Sequence, residues 1–112
     1  MPLPNNARLY AVVPAAGTGS RMAASLPKQY LSLFGRTVTE HTLARLLGFA
    51  PLESIVVATA ATDLWWPQLG VAHHPRVRSV LGGETRAHSV LNALTLLQND
   101  AGPDDWVMVH DI

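Results

Sequence analysis

Short runs of apolar residues recur along the chain, and four of them have the length and composition of buried strands. They cover residues 9–13, 54–59, 77–81 and 106–109, and β-branched residues are frequent in them. Three of the runs are almost continuously apolar, whereas the third in chain order contains an Arg-Ser pair and is a weaker signal. Continuous apolar runs are typical of strands that are covered on both faces, as in parallel sheets. We therefore predict four strands, of which residues 9–13 and 54–59 should be buried and residues 77–81 should form a weaker strand.

Apolar positions change to helical spacing in two of the segments between these strands. Thr37 and Glu40 have the spacing of a capping box, so the first helix should begin at about Val38 and end at Gly48. The second helix should cover about residues 85–99. Apolar residues three and four positions apart predict the buried stripe of each helix. The predicted stripes are Val38, Thr42, Leu43, Leu46 and Leu47 in the first helix, and Val90, Leu91, Leu94 and Leu97 in the second.

The predicted elements follow one another as strand, helix, strand, short helix, strand, helix and strand. Strands that alternate with helices favour an α/β fold, here a doubly wound, mostly parallel sheet of the Rossmann-like type. A length of 112 residues suits one domain, so residues 1–112 form a single unit in this interpretation. Ligands bind such sheets at the carboxyl ends of the strands. Residues that directly follow a strand are therefore the candidates for chemistry.

The first strand opens into a loop of small residues that suits a phosphate group. The loop residues are Ala15, Ala16, Gly17, Thr18 and Gly19. Backbone amides between such small side chains can approach an anion closely. Arg21 and Lys28 supply positive charge a few residues later, which suits phosphoryl or nucleotidyl transfer. A tight turn without a ligand is the alternative interpretation.

Two familiar phosphate-binding motifs do not fit the spacing of this loop. A dinucleotide-binding fingerprint needs Gly or Ala three residues after Gly19, where Met22 stands. A Walker A loop ends in Gly-Lys-Ser or Gly-Lys-Thr, and no such triplet follows Gly17. The loop therefore belongs to neither class.

Polar residues also follow the third and fourth predicted strands. Gly83, Glu84 and Ser89 lie where the third strand leads into the second helix, a place from which they could read a base edge and a ribose hydroxyl. A plain turn, with Arg86 paired to Glu84 on the helix surface, is the alternative. Asp111 follows the fourth strand, where a carboxylate can hold a divalent cation that bridges phosphates. A solvated aspartate is the alternative there.

Composition narrows the class of protein. Hydrophobic residues make up 48% of the sequence and charged residues 14%, which excludes a disordered chain. The formal net charge is zero, so we expect neither nucleic acid nor an acidic membrane as a partner. There is no cysteine, which suits a reducing compartment, and no apolar run approaches the length of a membrane span. We expect a cytoplasmic protein.

The remaining histidines and tryptophans give weaker signals. His73 and His74 are neighbours in a predicted loop and lack the spacing to carboxylates that a zinc site requires. Trp65 and Trp66 could stack on a base, but a hydrophobic contact between a helix and the sheet is the preferred interpretation. Nothing in the sequence suggests a Ser-His-Asp nucleophile.

Four motifs occur together in the order expected of one enzyme family. They are Val-Val-Pro-Ala-Ala-Gly at residues 12–17, Pro-Lys-Gln-Tyr at 27–30, Gly-Gly-Glu-x-Arg-x-x-Ser-Val at 82–90 and Val-His-Asp at 109–111. In these motifs the chain resembles the nucleotidyltransferases, and in detail the 2-C-methyl-D-erythritol 4-phosphate cytidylyltransferases of the non-mevalonate isoprenoid pathway. The resemblance covers nearly the whole chain. It implies transfer of CMP from CTP to the 4-phosphate of the sugar alcohol, with release of pyrophosphate.

The resemblance also implies a role for each candidate residue. Arg21 and Lys28 would stabilise the transition state, and Asp111 would help to hold Mg²⁺. CTP and a sugar-alcohol phosphate would be the partners, and full-length members of the family would pair as homodimers through an arm. The residues implied to bind CTP are Ala15, Ala16, Gly17, Thr18, Gly19, Gly83, Glu84 and Ser89.

The end of the sequence departs from the family pattern. The family continues Asp-Ala-Ala-Arg-Pro after the fourth strand, whereas this sequence reads Asp111-Ile112 and stops. We therefore expect the amino-terminal, nucleotide-binding part of the enzyme, without the groups that grip the acceptor and without the dimer arm, and inactive by itself. Two alternatives stay open. One is a ribitol- or other sugar-phosphate cytidylyltransferase, and the other is a nucleotide-binding fragment that completes no reaction.

Overall fold

Residues 6–17 and 27–112 are described by the computed structural model of this chain, and four parallel strands form the centre of that part. In chain order the strands are β1 (Leu9–Ala15), β2 (Ser32–Leu33), β3 (Arg36–Thr37), β4 (Leu52–Thr59), β5 (Val77–Leu81) and β6 (Trp106–Val109). The central sheet has the order β5-β4-β1-β6, while β2 and β3 form a separate hairpin. All neighbours in the central sheet are parallel. The predicted parallel sheet is confirmed, and its last two strands have the predicted bounds.

Helices cover both faces of this sheet, as in a doubly wound fold. Helix α1 (Val38–Leu47) packs on the face that includes Val13, and helix α2 (Arg86–Leu97) packs on the face that includes Val12. Successive residues of a strand point to opposite faces, so a strand between two helices has to be apolar at every position. Residues 11–13 have no exposed surface, which explains the continuous apolar run. Within the described part of the chain, neither helix is long and apolar enough to cross a membrane.

Helix α1 begins where the capping box predicts. The Thr37 hydroxyl oxygen accepts a hydrogen bond from the Glu40 N–H at 3.1 Å, and the Glu40 carboxylate accepts one from the Thr37 N–H at 2.9 Å. The helix ends at Gly48, as predicted. The guanidinium of Arg76 then donates to the carbonyl oxygen of Leu47 at 3.1 Å. The end of the helix is thereby tied to the segment that leads into β5.

Two short 3₁₀ turns, Trp66–Gln68 and Gly70–His73, connect β4 to β5. Trp66 is buried, and its indole N–H donates to the hydroxyl of Ser79 in β5 at 2.8 Å. A ring nitrogen of His73 lies 2.9 Å from a carbonyl oxygen of the preceding turn. The tryptophan therefore has the packing role that the sequence favours, and the histidine contributes to the local structure of a loop.

The buried face of α2 differs from the predicted stripe. Ser89, Ala93 and Leu97 are buried, whereas Leu91 is 59% exposed and Leu94 is 38% exposed. The small side chains of Ser89 and Ala93 let the helix lie close to the sheet, and the two larger leucines point away from it. The prediction that Leu91 and Leu94 are core residues is wrong because it followed the apolar residues and ignored the small ones.

Strand β6 lies at the edge of the sheet in the described part of the chain. Trp106 and Val109 are exposed, while Val107 and Met108 are half-buried. The faces of β6 are therefore only partly covered in the described part of the chain. β6 pairs in parallel with β1 and places Val109 opposite Val12.

The observed face of α2 predicts different stabilities for two leucine variants. Leu97→Ala should lower the free energy of unfolding by about 2–5 kcal/mol, because Leu97 is 1% exposed and its loss leaves a cavity. Leu91→Ala on the same helix should change it by less than about 0.5 kcal/mol, because the side chain is mostly in solvent. Urea unfolding followed by circular dichroism measures both values. Equal losses in the two variants would contradict the observed face.

Candidate functional site

The carboxyl ends of β1, β5 and β6 bring the predicted constellations to one edge of the sheet, where two cavities open. The first, which we call the lysine cavity, has a volume of about 390 Å³. It lies between the 3₁₀ turn Lys28–Tyr30 and the residues that follow β6. The residues that line it are Pro14, Ala15, Gly17, Lys28, Gln29, Leu31, Val38, Asp111 and Ile112.

The second cavity, which we call the serine cavity, has a volume of about 220 Å³ and lies between the loop after β1 and the start of α2. Pro14, Gly17 and Asp111 line both cavities, so the two share a wall. A ligand that fills one cavity therefore reaches the border of the other. The residues that line the serine cavity are Pro14, Ala16, Gly17, Gly83, Glu84, Thr85, Arg86, Ser89 and Asp111.

The structure brings together every candidate residue that lies in its described part. Those residues are Ala15, Ala16, Gly17, Lys28, Gly83, Glu84, Ser89 and Asp111, and each lines at least one of the two cavities. Thr18, Gly19 and Arg21 lie outside the described residues, so their placement stays a prediction. Lys28 and Asp111 line the same cavity, which places a cation and an anion beside the loop after β1.

Gly82 was not among the predicted site residues. Because it has no side chain, the loop after β1 and the start of α2 can both approach it closely. The N–H of Gly82 donates to the carbonyl oxygen of Thr59 at 2.8 Å, at the end of β4. A Cβ added at Gly82 would lie 2.2 Å from the Cβ of Ala16 and 2.8 Å from the Oγ of Ser89. No side chain fits there unless the loop after β1 or helix α2 moves. The Gly-Gly pair at residues 82–83 was the available signal in the sequence.

Ser89 forms a buried part of the serine cavity wall, with an exposed fraction of 2%. Its Oγ accepts a hydrogen bond from the Gly83 N–H at 3.0 Å and so fixes the segment that enters α2. Among the residues that the structure describes, none accepts a hydrogen bond from the Ser89 hydroxyl, and a free hydroxyl proton suits the predicted contact with a ribose hydroxyl. A Cβ added at Gly83 would lie 2.2 Å from the Cγ of His88. Gly83 therefore has no room for a side chain.

Arg86 pairs with Asp111 and not with Glu84, which corrects the alternative weighed from the sequence. The Arg86 Nε lies 3.0 Å from one carboxylate oxygen of Asp111, and Nη2 lies 3.2 Å from the other. Both side chains are more than half exposed, and the hydrogen bond to Asp111 raises the pKa of the Arg86 guanidinium. A two-point contact of this kind fixes the orientation of the carboxylate. Arg86 is therefore a site residue that the sequence interpretation did not identify.

The carboxylate of Asp111 is suitable for Mg²⁺ only if a bound ligand supplies further oxygen atoms to the ion. Among the residues that the structure describes, no group of three His, Cys, Asp or Glu side chains could hold a metal ion. A single carboxylate is nevertheless common for Mg²⁺, which is usually bound by one or two carboxylates together with substrate phosphates. Each carboxylate oxygen of Asp111 uses one lone pair for Arg86 and keeps another for a cation.

Comparison with known proteins gives one family. The family model described as IspD, 2-C-methyl-D-erythritol 4-phosphate cytidylyltransferase, matches residues 9–112. A protein with that name from Actinobacillus pleuropneumoniae serotype 7 (strain AP76) is 51% identical over 104 residues, covering 93% of this chain and 44% of the relative. One from Pseudomonas putida (strain W619) is 54% identical over 103 residues, covering 91% and 44%. The chain thus spans about 44% of the length of these curated relatives.

Solved structures give the same result for the fold. The crystal structure of a 4-diphosphocytidyl-2C-methyl-D-erythritol synthase matches with a TM-score of 0.78 at 31% identity, covering 94% of this chain and 46% of that one. The 2-C-methyl-D-erythritol 4-phosphate cytidylyltransferase of Francisella tularensis matches with a TM-score of 0.75 at 36% identity, covering 94% and 44%. The doubly wound, Rossmann-like nucleotidyltransferase fold is confirmed for this part of the chain.

The close approach at Gly82 predicts an effect of a single methyl group. Gly82→Ala should lower the free energy of unfolding by about 1–3 kcal/mol, because the new Cβ overlaps Ala16 and Ser89. Gly70→Ala is the matched control, since a Cβ there would have no neighbour within 4 Å. Urea unfolding of both variants measures the difference. If the two variants unfold at the same urea concentration, the close contact between the loops is contradicted.

Proposed function

Because the chain belongs to the 2-C-methyl-D-erythritol 4-phosphate cytidylyltransferase family, we propose that it supplies the nucleotide-binding part of an enzyme that transfers CMP from CTP to 2-C-methyl-D-erythritol 4-phosphate. One observation carries the proposal. Gly17 and Asp111 border both cavities, and Lys28 lines the larger one. This arrangement supports a nucleotide whose base occupies the serine cavity and whose phosphates extend into the lysine cavity.

The proposed reaction is a displacement at phosphorus. An oxygen of the acceptor's 4-phosphate attacks the α-phosphorus of CTP and forms a new P–O bond. The bond from the α-phosphorus to the oxygen that bridges to the β-phosphorus breaks, and pyrophosphate leaves with that electron pair. No protein nucleophile takes part, so the protein acts by positioning and by stabilising charge. We assign to Lys28 and Arg21 the role of stabilising the negative charge on the reacting phosphates.

The serine cavity supports a pyrimidine as the base. Its volume of about 220 Å³ is smaller than the 390 Å³ of the lysine cavity, and Gly83 and Glu84 form part of its wall. The buried hydroxyl of Ser89 supports the assignment of the ribose to the same cavity. A purine would need more room between the loop after β1 and the start of α2. We therefore propose CTP as the nucleotide.

Asp111 is the residue that we propose to hold Mg²⁺, together with phosphate oxygens of the nucleotide. When bound, the ion would neutralise phosphate charge. Arg86 contributes by keeping the carboxylate of Asp111 in one orientation at the border of the two cavities. For the full-length enzyme we propose pairing of two copies, and for the chain a cytoplasmic location.

The acceptor can be identified by a pyrophosphate-release assay. The chain spans 44% of the relative from A. pleuropneumoniae, so the assay uses a chimera in which this sequence replaces the matching part of that relative. With CTP and Mg²⁺, we expect release with 2-C-methyl-D-erythritol 4-phosphate and none with ribitol 5-phosphate. Release only with ribitol 5-phosphate would favour the alternative cytidylyltransferase. Tight CTP binding without release in a folded chimera would favour a nucleotide-binding fragment.

The role of Lys28 predicts a loss in the rate of the chemical step. In the chimera, Lys28→Ala should lower kcat by about 10² or more, because a preorganised cation is lost from the transition state. Arg45→Ala is the control, since Arg45 is an exposed cation of α1 that lines neither cavity. Steady-state kinetics with CTP measures both variants. A raised KM with an unchanged kcat would show that Lys28 only binds the nucleotide.

A further inference from the structure

The turn that carries Lys28 is anchored by a buried aromatic side chain two residues later. Tyr30 is 4% exposed and stacks on Trp65, with ring centroids 5.6 Å apart and an interplanar angle of 22°. The Tyr30 hydroxyl donates a hydrogen bond to a carboxylate oxygen of Asp63. Burial, and then this hydrogen bond, raise the pKa of the Tyr30 phenol, so the hydroxyl keeps its proton and stays a donor. The turn is thereby fastened to the loop after β4.

The carboxylate of Asp63 is itself held in place by hydrogen bonds from the backbone. Its other carboxylate oxygen accepts hydrogen bonds from the N–H groups of Trp65 and Trp66, both at 3.0 Å. The two oxygens are thus used by three donors within the protein. Three of the roughly four acceptor sites of this carboxylate are therefore occupied within the protein. Asp63 also lines a small cavity of about 120 Å³ together with Gly17 and Gln29. Its contacts suit a residue that fixes the position of others.

Gln29, directly after Lys28, is tied at two further points. The carbonyl oxygen of Gln29 accepts a hydrogen bond from the fully buried hydroxyl of Thr39 in α1 at 2.8 Å. The side-chain amide of Gln29 donates to the carbonyl oxygen of Ala15, at the end of β1, at 3.4 Å. The backbone after Lys28 is therefore connected to α1, β1 and the loop after β4. Only the connection to the loop after β4, which runs from Tyr30 to Asp63, involves a charged side chain.

We propose that Asp63 is a positioning residue that acts through Tyr30 to hold Lys28 at the lysine cavity. The inference rests on the proposed function for the role of Lys28 in the reaction, but not for the position of Lys28 itself. Asp63 lies outside the four motifs that define the resemblance, and it does not line either of the two cavities assigned to the nucleotide. Its effect on the reaction is therefore indirect.

The sequence offers a direct readout, because Lys28 is its only lysine. Reductive methylation with ¹³C-formaldehyde gives Lys28 a dimethylated amine that keeps its positive charge, and the amino terminus gives the one other signal. Tyr30→Phe removes only the hydroxyl and keeps the ring stacked on Trp65. Asp63→Asn keeps an oxygen for the two backbone N–H groups but replaces the negative charge. Tyr10→Phe is the control, since the buried Tyr10 hydroxyl contacts the carbonyl oxygen of Asp100 on the other face of the sheet.

Two measurements on the full chain separate the inference from the proposed function. Without nucleotide, the Lys28 methyl signal and backbone amide should shift in Tyr30→Phe and Asp63→Asn and stay unchanged in Tyr10→Phe. With Mg²⁺ and CTP, the methyl signal of the unsubstituted chain should shift, and both site variants should need about 3–10 times more CTP for the same shift. If CTP leaves that signal unchanged, the proposed function fails, and the comparison without nucleotide still decides the inference.

Kinetics of the chimera provide the second test. Tyr30→Phe and Asp63→Asn should lower kcat about tenfold, less than the loss of Lys28 itself, and should raise KM for CTP by about the same 3–10-fold factor as the binding measurement. A purely structural role would lower stability and leave kcat of the folded enzyme unchanged. If Asp63→Asn does not fold, Tyr30→Phe carries the test alone because it keeps the buried ring. Unchanged Lys28 signals and unchanged kcat in a folded Tyr30→Phe variant would overturn the proposal.

Discussion

The arrangement of the candidate site depends on one constraint, the burial of β1 between two parallel neighbours and two helices. β1 pairs with β4 on one side and with β6 on the other, and residues 11–13 are fully buried. The middle of the strand is therefore held on both edges and both faces, and its carboxyl end, paired with β4 as far as Ala15, borders the lysine cavity. Because the neighbouring strands run parallel to β1, the segments that follow them reach the same edge of the sheet. The residues of the candidate site come together at that edge from distant parts of the sequence.

Close packing at this edge requires small residues, and the charged residues lie around them. Ala16 and Gly82 are so close that a methyl group on Gly82 would overlap the alanine. Ser89 adds a hydroxyl at the same point and holds the N–H of Gly83. Lys28 and Asp111 then line the adjoining cavity. The small residues give a ligand access to the backbone, and the charges determine which ligand is suitable.

The sequence predicted local features well and long-range pairs poorly. The capping box at Thr37 was confirmed because its two hydrogen bonds depend on residues three positions apart. The pairing of Arg86 with Asp111 was missed because the two residues lie 25 positions apart and meet only through the alignment of β6 with β1 and the packing of α2 on the sheet. The face of α2 was misassigned because small residues such as Ala93 determine the contact with the sheet. The hydrogen bond from Tyr30 to Asp63 was missed for the same reason as the ion pair, because its two residues are far apart in the sequence.

The central claim is that one edge of the sheet binds a cytidine nucleotide across two adjoining cavities. Amide chemical shifts of the ¹⁵N-labelled protein, followed during titration with CTP or GTP in the presence of Mg²⁺, test it most directly. The account predicts that CTP shifts the amides of Gly17, Gly83, Glu84 and Ser89, that it leaves Gly70 unchanged, and that GTP gives weaker changes at the same positions. Equal responses to CTP and GTP, or shifts confined to residues away from this edge, would contradict it.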